Sequence, residues 1–147
     1  MLRLKLPVVA HVFLTRDGAV LLARRSGTGV EDGNYGPVGG HLEPGESVVQ
    51  AAVRECREEV GVNFVTSAVR PLGVTHYTSP TGDGIDFFLE ATQWVGEPTA
   101  TAECDDLRWC RLDTLPPNTI PFVRRALELP LVGGVWFDES GWDAATM

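Results

Sequence analysis

The order of apolar and polar residues predicts a layered fold of mixed strands and helices, either α/β or α+β, built as a single domain over residues 1–147. Three observations favour it. Short extended patterns occur near the N-terminus and in the middle of the chain, a capped helical pattern lies between them, and a second helical pattern follows. Of the 147 residues, 44% are hydrophobic and 22% charged, as is typical of folded globular domains.

Two extended segments begin the fold, at residues 8–15 and 19–23, and a turn at Asp17 and Gly18 joins them. A turn of this kind between apolar runs predicts a β-hairpin. Residues 26–40 then contain six glycines among polar residues and are predicted to form a long loop. Long loops in compact domains are more often functional than idle.

The most clearly marked element is a helix over residues 48–60. The Pro-Gly pair at 44–45 fits the central positions of a type II turn and reverses the chain before it. Ser47 stands three residues before Gln50, a capping-box pattern, and Gly61 fits the left-handed position that ends a helix. Both ends of the helix are therefore defined by local chemistry.

Projected at about 100° per residue, this helix separates a buried face from an acidic patch. The buried face is predicted to comprise Val49, Ala52, Val53, Cys56 and Val60. Glu55, Glu58 and Glu59 fall together beside it, although like charges at these spacings destabilise a helix. Arg54, four residues before Glu58, offsets part of the repulsion, and the remaining negative charge calls for a cation.

The second half of the chain predicts two long strands, a short strand and a helix. Residues 62–77 and 85–95 look extended and are expected to pair antiparallel across a turn at 78–84. Residues 107–112 alternate as a short strand, and residues 120–129 have the apolar spacing of a helix.

The C-terminal segment LPLVGGVWFDESGWDAATM contains Trp136, Phe137 and Trp142 around two glycines. A late strand that packs on the body is the favoured interpretation. A pocket lid and a dimer contact remain alternatives, and the sequence leaves both a monomer and a homodimer open.

Composition limits the partners. With 12 Lys and Arg against 20 Asp and Glu, the formal net charge is -8, which opposes binding to nucleic acid or to an anionic membrane. The three cysteines form no CxxC pair and are expected to be free thiols, as suits a reducing cytosol. Since no segment has the roughly 18 apolar residues of a membrane span, the cytoplasm is the expected location.

The glutamate patch and the glycines before it suit a metal site. Mg²⁺ prefers oxygen ligands, keeps several waters, and is commonly held by one or two carboxylates together with substrate phosphates. Gly39 and Gly40 have no side chains to keep a carbonyl or a phosphate at a distance, so the loop can approach the metal and the substrate closely. Loop and helix are predicted to form one site.

The same residues resemble the sequence signature of the Nudix family. Gly40 is followed by five residues and Glu46, then by seven residues and the run Arg-Glu-Cys-Arg-Glu-Glu-Val-Gly-Val at 54–62. This pattern of 23 residues at fixed spacing is specific, and Cys56 and Val62 occupy its two apolar positions. Chain length, strand order and the later WCRLD segment extend a looser similarity over most of the chain.

The resemblance implies an α/β/α sandwich with a mixed sheet and hydrolysis of a nucleoside diphosphate linked to another group, with Mg²⁺ or Mn²⁺ as cofactor. It also implies roles. Glu58 and Glu59 would be the principal metal ligands, and Glu55 a further ligand or the base that activates water. Gly39 would contribute a carbonyl ligand.

Further positions carry weaker implications. Arg54 and Glu46 would orient the carboxylates, although Glu46 is also explained as a turn residue. An acidic ligand from a later loop is common in the family, and Glu103 is the candidate here, with two acidic residues at 105–106 as competitors and a solvated acidic loop as the alternative. Gly40, His41 and Tyr35 are candidates for substrate binding. Additional base-contact candidates are Asn34, His76, Tyr77 and Phe87.

One departure from the family pattern stands just before the signature. The chain reads Tyr-Gly-Pro-Val-Gly-Gly at 35–40, so that Val38 occupies a position where the family commonly has proline. Because valine leaves φ free, we expect a slightly different loop and an effect on substrate fit rather than on activity. No zinc-ribbon cysteines or SQPWPFP-like run are present, so a small nucleotide or nucleotide-sugar hydrolase, similar in size to the MutT-like branch, fits best.

Two alternatives come from other classes. A catalytically silent, nucleotide-sensing domain would be expected to lose signature glutamates, which this chain retains. Action on a capped or triphosphorylated RNA 5′ end would be expected to show a basic surface, which the composition does not indicate.

Overall fold

A computed structural model describes residues 1–128 and 136–142, which contain eight strands and two α-helices. The helices are α1 (Val48–Val60) and α2 (Pro121–Glu128). The strands are β1 (Val8–Arg16), β2 (Ala19–Arg25), β3 (Tyr35–Gly36), β4 (Val38–His41), β5 (Val69–Ser79), β6 (Gly82–Ala91), β7 (Cys104–Cys110) and β8 (Trp136–Ser140).

The strands form a mixed sheet centred on β1, with the order β3-β2-β1-β6-β5-β8. Strand β4 also pairs with β1, and β7 pairs with β2. The pairs β1–β6 and β5–β8 are parallel, and the others among the described strands are antiparallel. The predicted hairpins β1–β2 and β5–β6 are both present.

Each helix covers one face of the sheet, so the α/β sandwich is confirmed. Successive side chains of a strand point to opposite faces, and β1 divides accordingly. Its Ala10, Val12 and Leu14 lie in a buried cluster with α1, whereas Phe13 lies in a second cluster with α2 and Trp136. The two clusters lie on opposite sides of one sheet.

Helix α1 has the predicted bounds and caps. The Ser47 hydroxyl accepts a hydrogen bond from the Gln50 backbone N–H, the Gln50 side chain accepts one from the Ser47 backbone N–H, and Gly61 has φ of 74°. Its buried face differs in part from the prediction. Ala51 is fully buried, Glu55 is also buried, and the predicted core positions at 49 and 53 are only half-buried.

Several predicted boundaries were wrong. The segment 26–40 is not one loop, because β3 and β4 form within it by pairing with β2 and β1. The turn between β5 and β6 is tighter than 78–84, and a short 3-10 turn at Thr66–Ala68 interrupts the extended run before β5. Strand β7 begins three residues earlier than predicted, and residue 129 of the predicted second helix lies outside the described residues.

The late strand predicted in the C-terminal segment is present as β8, which pairs in parallel with β5. Trp136 packs over Gly73, where an added Cβ would lie 2.1 Å from the indole ring. Residues 129–135 and 143–147 of that segment lie outside the described residues. Neither described helix has the length and apolar character needed to cross a membrane.

Candidate active site

Arg54 organises the carboxylates of α1 and of the turn before it. Its guanidinium donates hydrogen bonds to Glu46 at 2.7 and 2.9 Å, to Glu55 at 2.8 Å and to Glu58 at 3.1 Å. A further bond of 3.0 Å reaches the backbone carbonyl of His41. One half-buried arginine therefore joins the turn, the helix and the end of β4.

The chain approaches these carboxylates closely at the end of β4. A Cβ on Gly40 would lie 2.4 Å from Glu55 Oε1, and a Cβ on Gly39 would lie 2.1 Å from the carbonyl oxygen of Ala10. The Gly39 N–H donates to Glu59 Oε2 at 3.3 Å. The backbone of β4 thus lies directly against Glu55 and Glu59, and neither glycine position leaves room for a side chain.

The carboxylates differ in the direction of their pKa shifts. Two hydrogen bonds from Arg54 lower the pKa of Glu46 to about 2, with help from the Glu43 N–H. Burial, together with the nearby carboxylate of Glu55, raises the pKa of Glu59 above its ordinary value. Burial also raises the pKa of the Cys56 thiol, which is fully enclosed as predicted. The ionised form of Glu59 is thus disfavoured in the metal-free site, and a nearby cation would favour it.

These groups suit a divalent cation in their chemistry. The donors are hard carboxylate oxygens, and their pooled charge exceeds what the single Arg54 neutralises. Within residues 1–128 and 136–142, no three His, Cys, Asp or Glu side chains are placed so that they could together hold a metal ion. Glu58 is 52% exposed. This open arrangement fits Mg²⁺, which keeps several waters and relies on few protein ligands.

Of the three acidic candidates in the later loop, Glu103 faces the site. It lines the same cavity as Glu59 and contributes to the raised pKa of that residue. Asp105 pairs with Arg24 at 2.6 Å, and Asp106 accepts a hydrogen bond from the Tyr35 hydroxyl. Strand β7 begins at the next residue and fixes the position of the backbone beside Glu103.

The carboxylates open onto a cavity of about 1070 Å³. Gly40 and His41 line its mouth, as expected of substrate-binding candidates. The cavity extends from α1, past the end of β4, to the face of the sheet that α2 covers. It is large enough for a nucleotide-sized ligand.

Tyr35 does not line this cavity, contrary to its prediction as a substrate-binding residue. The residue is 1% exposed because its ring packs in the core beside α2, and its hydroxyl donates a hydrogen bond to Asp106. Among the weaker candidates, Tyr77 lines the cavity. His76 instead packs at a tilt against Trp142, with ring centroids 4.7 Å apart.

Three polar side chains that line the far end of the cavity, and a fourth that pairs with one of them, were not predicted from the sequence. His11 and Asp86 lie on the central strands, and Arg125 pairs with Asp138 from β8. Their only sequence signal was a polar residue within an apolar run. His11 interrupts the apolar run of the first strand.

The chain is similar in sequence to a known protein family and to several named enzymes. The family described as NUDIX domain matches residues 4–129. The NAD-capped RNA hydrolase NudC of Pseudomonas aeruginosa (strain LESB58) is 37% identical over 106 residues, which cover 72% of this chain and 36% of that protein. The chain therefore spans about a third of the length of this relative. The CTP pyrophosphohydrolase of Escherichia coli (strain K12) is 42% identical over 59 residues, or 40% of this chain and 44% of that protein.

Solved structures share the fold. The MutT NUDIX hydrolase from Burkholderia pseudomallei superposes with a TM-score of 0.76 at 28% identity, covering 84% of this chain and 97% of that one. The MutT protein from Methanosarcina mazei Go1 gives a TM-score of 0.72 at 21% identity, covering 86% of this chain and 94% of that one, a likeness of fold alone.

Proposed function

This chain belongs to the Nudix hydrolase family, and from that premise we propose that it cleaves the pyrophosphate bond of a nucleoside diphosphate linked to another group. One observation carries the proposal. The carboxylates gathered around Arg54 lie against the backbone of Gly39 and Gly40 at the mouth of a nucleotide-sized cavity.

The names of the relatives support this class without fixing the substrate. One relative is named for NAD-capped RNA and another for CTP, and both compounds contain a phosphoric anhydride attached to a nucleoside. Nucleoside triphosphates, oxidised nucleotides and nucleotide sugars share that bond. A dinucleotide such as NAD and an NAD-capped RNA also belong on the list to be tested, because of the 37% identity to NudC.

The proposed reaction is attack of water on phosphorus, with cleavage of the anhydride P–O bond and release of two phosphate-bearing products. Bound Mg²⁺ or Mn²⁺ would neutralise the diphosphate and lower the pKa of the attacking water. Glu58, Glu59, Glu103 and the carbonyl of Gly39 would hold the ion. Glu55 would act as a further ligand or as the base that receives the proton from water.

Arg54 and Glu46 would act by positioning. Arg54 fixes the rotamers of Glu55 and Glu58 through hydrogen bonds of 2.8 and 3.1 Å, and Glu46 holds the opposite edge of the guanidinium. Groups that support metal ligands in this way commonly affect metal affinity or activity by about 10- to 100-fold. Gly40 and His41, at the cavity mouth, would contact the substrate phosphates.

We further take residues 1–147 as one domain. The two buried clusters share the same sheet, and the family match covers residues 4–129.

The three cysteines are buried free thiols, as a reducing cytoplasm would maintain them.

A substrate panel tests the proposal. The purified chain is incubated with Mg²⁺ or Mn²⁺ and with nucleoside triphosphates, oxidised nucleotides, nucleotide sugars, NAD, NAD-capped RNA and dinucleoside polyphosphates, and the products are separated by chromatography. We expect metal-dependent cleavage of at least one compound into two phosphate-bearing products. Cleavage of none would overturn the proposal and favour a nucleotide-sensing domain.

The variant Glu58→Gln tests the site. We expect it to bind Mn²⁺ more weakly in calorimetry and to lose most of the metal-dependent turnover. The matched control is Glu139→Gln, which changes an exposed glutamate on β8 and should behave as wild type. Unchanged turnover in Glu58→Gln would contradict the metal-ligand assignment.

A further inference from the structure

A second polar group lies in the same cavity, away from the carboxylates of α1. His11 on β1 and Asp86 on β6 meet on the face of the sheet that α2 covers, and Nε2 of the histidine is 3.4 Å from Oδ1 of the aspartate. Both side chains line the cavity and are largely enclosed, with exposures of 13% and 15%.

The histidine ring is fixed in place. Phe88 stacks on it with ring centroids 4.9 Å apart, and Phe122 of α2 lies at the same distance at a tilt. Its Nε2 atom is buried and has no hydrogen-bond partner within residues 1–128 and 136–142. The nearest charged group is Asp86. A buried polar atom without a protein partner is unusual in a native structure, and a bound water or ligand commonly supplies the missing partner.

The neighbouring carboxylate shows what a purely structural pair looks like. Asp138 receives two hydrogen bonds from Arg125, one of them at 2.8 Å, and a third of 3.4 Å from Thr75. Its acceptor sites are occupied. Among the described residues, the charged-group contact of Asp86 is with His11, at 3.4 Å. This contact is weaker than those of Asp138, so the Asp86 carboxylate remains able to accept hydrogen bonds from a ligand.

The pair also lies close to the proposed reaction site. His11 is the cross-strand partner of Gly39 in the β1–β4 ladder, and adjacent strands are about 4.8 Å apart. A ligand whose diphosphate meets Gly39 and Glu59 can therefore reach Asp86 with an attached ring inside the same cavity.

From this geometry we infer that Asp86, beside His11, binds an exocyclic amino group on the ring of the substrate. An ionised carboxylate only accepts hydrogen bonds. It would bind the amino group of adenine or cytosine and repel the oxo group that replaces it in hypoxanthine or uracil. This inference rests on the proposed function, since it takes the substrate to be a nucleotide, and it adds the chemical class of base.

Turnover of matched pairs tests the inference. We expect kcat/KM for ATP over ITP, and for CTP over UTP, to be about 10-fold or more in the wild type, because a site built around a charged hydrogen bond rejects the ligand that lacks the donor. In Asp86→Asn, whose amide can both donate and accept, both ratios should fall to within about threefold of one. Wild-type ratios near one would overturn the inference while leaving hydrolysis intact.

Binding without catalysis separates this inference from the proposed function. In EDTA, the affinities for AMP against IMP and for CMP against UMP are measured by NMR titration, and the amino member of each pair should bind more tightly. This preference should appear even if no triphosphate is hydrolysed. Equal binding within each pair, or binding of neither member, would overturn the inference.

Two further variants complete the test. His11→Phe keeps the aromatic stacking but removes Nε2, and as the loss of a positioning residue it should reduce the amino preference less than Asp86→Asn does. Glu90→Gln alters another carboxylate on β6 that pairs with Arg70 and does not line this cavity, so both ratios should stay at wild-type values. A fall of the ratios in Glu90→Gln equal to that in Asp86→Asn would contradict a specific role for Asp86.

Discussion

The carboxylates near the two ends of the cavity have opposite pKa shifts and different numbers of cationic partners. At the α1 end a single arginine, Arg54, serves several carboxylates, and the pKa of Glu59 is raised. At the β8 end Asp138 has an arginine of its own, Arg125, whose hydrogen bonds lower the pKa of that carboxyl. Negative charge is in excess at the first end and matched at the second.

Burial is the main cause of the raised pKa of Glu59, and the nearby Glu55 carboxylate adds to it. Burial alone does not separate the two ends, because Glu55 and Asp138 are almost equally enclosed, with exposures of 9% and 8%. The ends differ in how many carboxylates share one cation. A buried charge with its own partner is what a stable fold requires, whereas a surplus of like charge destabilises the fold and is typical of functional sites. The following predictions test that distinction.

The largest effect is expected from Glu59→Gln. This change removes the charge of a proposed metal ligand while keeping its shape, so metal-dependent turnover should fall by about 10³-fold or more. Because it also removes repulsion from Glu55, the metal-free variant should be more stable than wild type by about 0.5–2 kcal/mol in urea denaturation. Asp138→Asn is the matched change at the other end, and it should lower stability instead. A loss of stability in both variants would abolish the distinction between the ends.

Arg54→Lys should have the next largest effect. Lysine keeps the positive charge but cannot bridge Glu46, Glu55 and Glu58 at once, because it lacks the planar fork of the guanidinium. We expect kcat and Mn²⁺ affinity to fall by about 10- to 100-fold. The control is Arg57→Lys, at an exposed position of the same helix, which should leave both quantities unchanged.

At the opposite end, Arg125→Ala should affect stability more than metal binding. The change leaves the buried carboxylate of Asp138 with only the weak bond from Thr75 among these partners, at a cost of about 1–3 kcal/mol in the free energy of unfolding. Mn²⁺ affinity, measured by calorimetry, should stay at the wild-type value. A drop in that affinity as large as in Arg54→Lys would mean that the two ends are not independent.

The smallest effect concerns pH in the metal-free protein. Because the folded pKa of Glu59 is raised, its proton is bound more tightly in the folded state, and stability should decline as pH rises above the ordinary value of 4.5. Because the folded pKa of Asp138 is lowered, its contribution is present above the ordinary value of 3.8 and is lost as pH falls through the lowered pKa. The test is urea denaturation in EDTA at a series of pH values. Glu59→Gln should remove the decline of stability above pH 4.5, and Asp138→Asn should remove the loss of stability at low pH.

The sequence predicted the α1 end well because its parts are close together along the chain. Turn, cap, helix and glutamates all lie within residues 39–62, where spacing on one helix decides which side chains meet. The contact of Arg54 with Glu58 follows from that spacing, whereas its contact with Glu46 depends on the turn before the helix. What spacing did not decide was which acidic residue of the later loop faces the site, because this depends on the pairing of β7 with β2.

The far end could not be predicted in the same way because it is assembled from distant parts of the chain. His11 and Asp86 meet only because β1 pairs in parallel with β6, a register that local patterns do not reveal. Tyr35 was wrongly placed in the binding site for the same reason. It belongs to β3, which forms only by pairing with β2, and that pairing directs its ring into the core.

The close pairing of β4 with β1 has a consequence for substrate length. Gly39 lies against the carbonyl of Ala10 and opposite His11, with no room for a side chain to widen the gap. The spacing between the proposed point of bond cleavage and the proposed point of base recognition is thus set by the backbone. A substrate with one phosphate more should keep its base in place and present a different anhydride bond to the glutamates, so that the products of a phosphate series would measure that spacing directly.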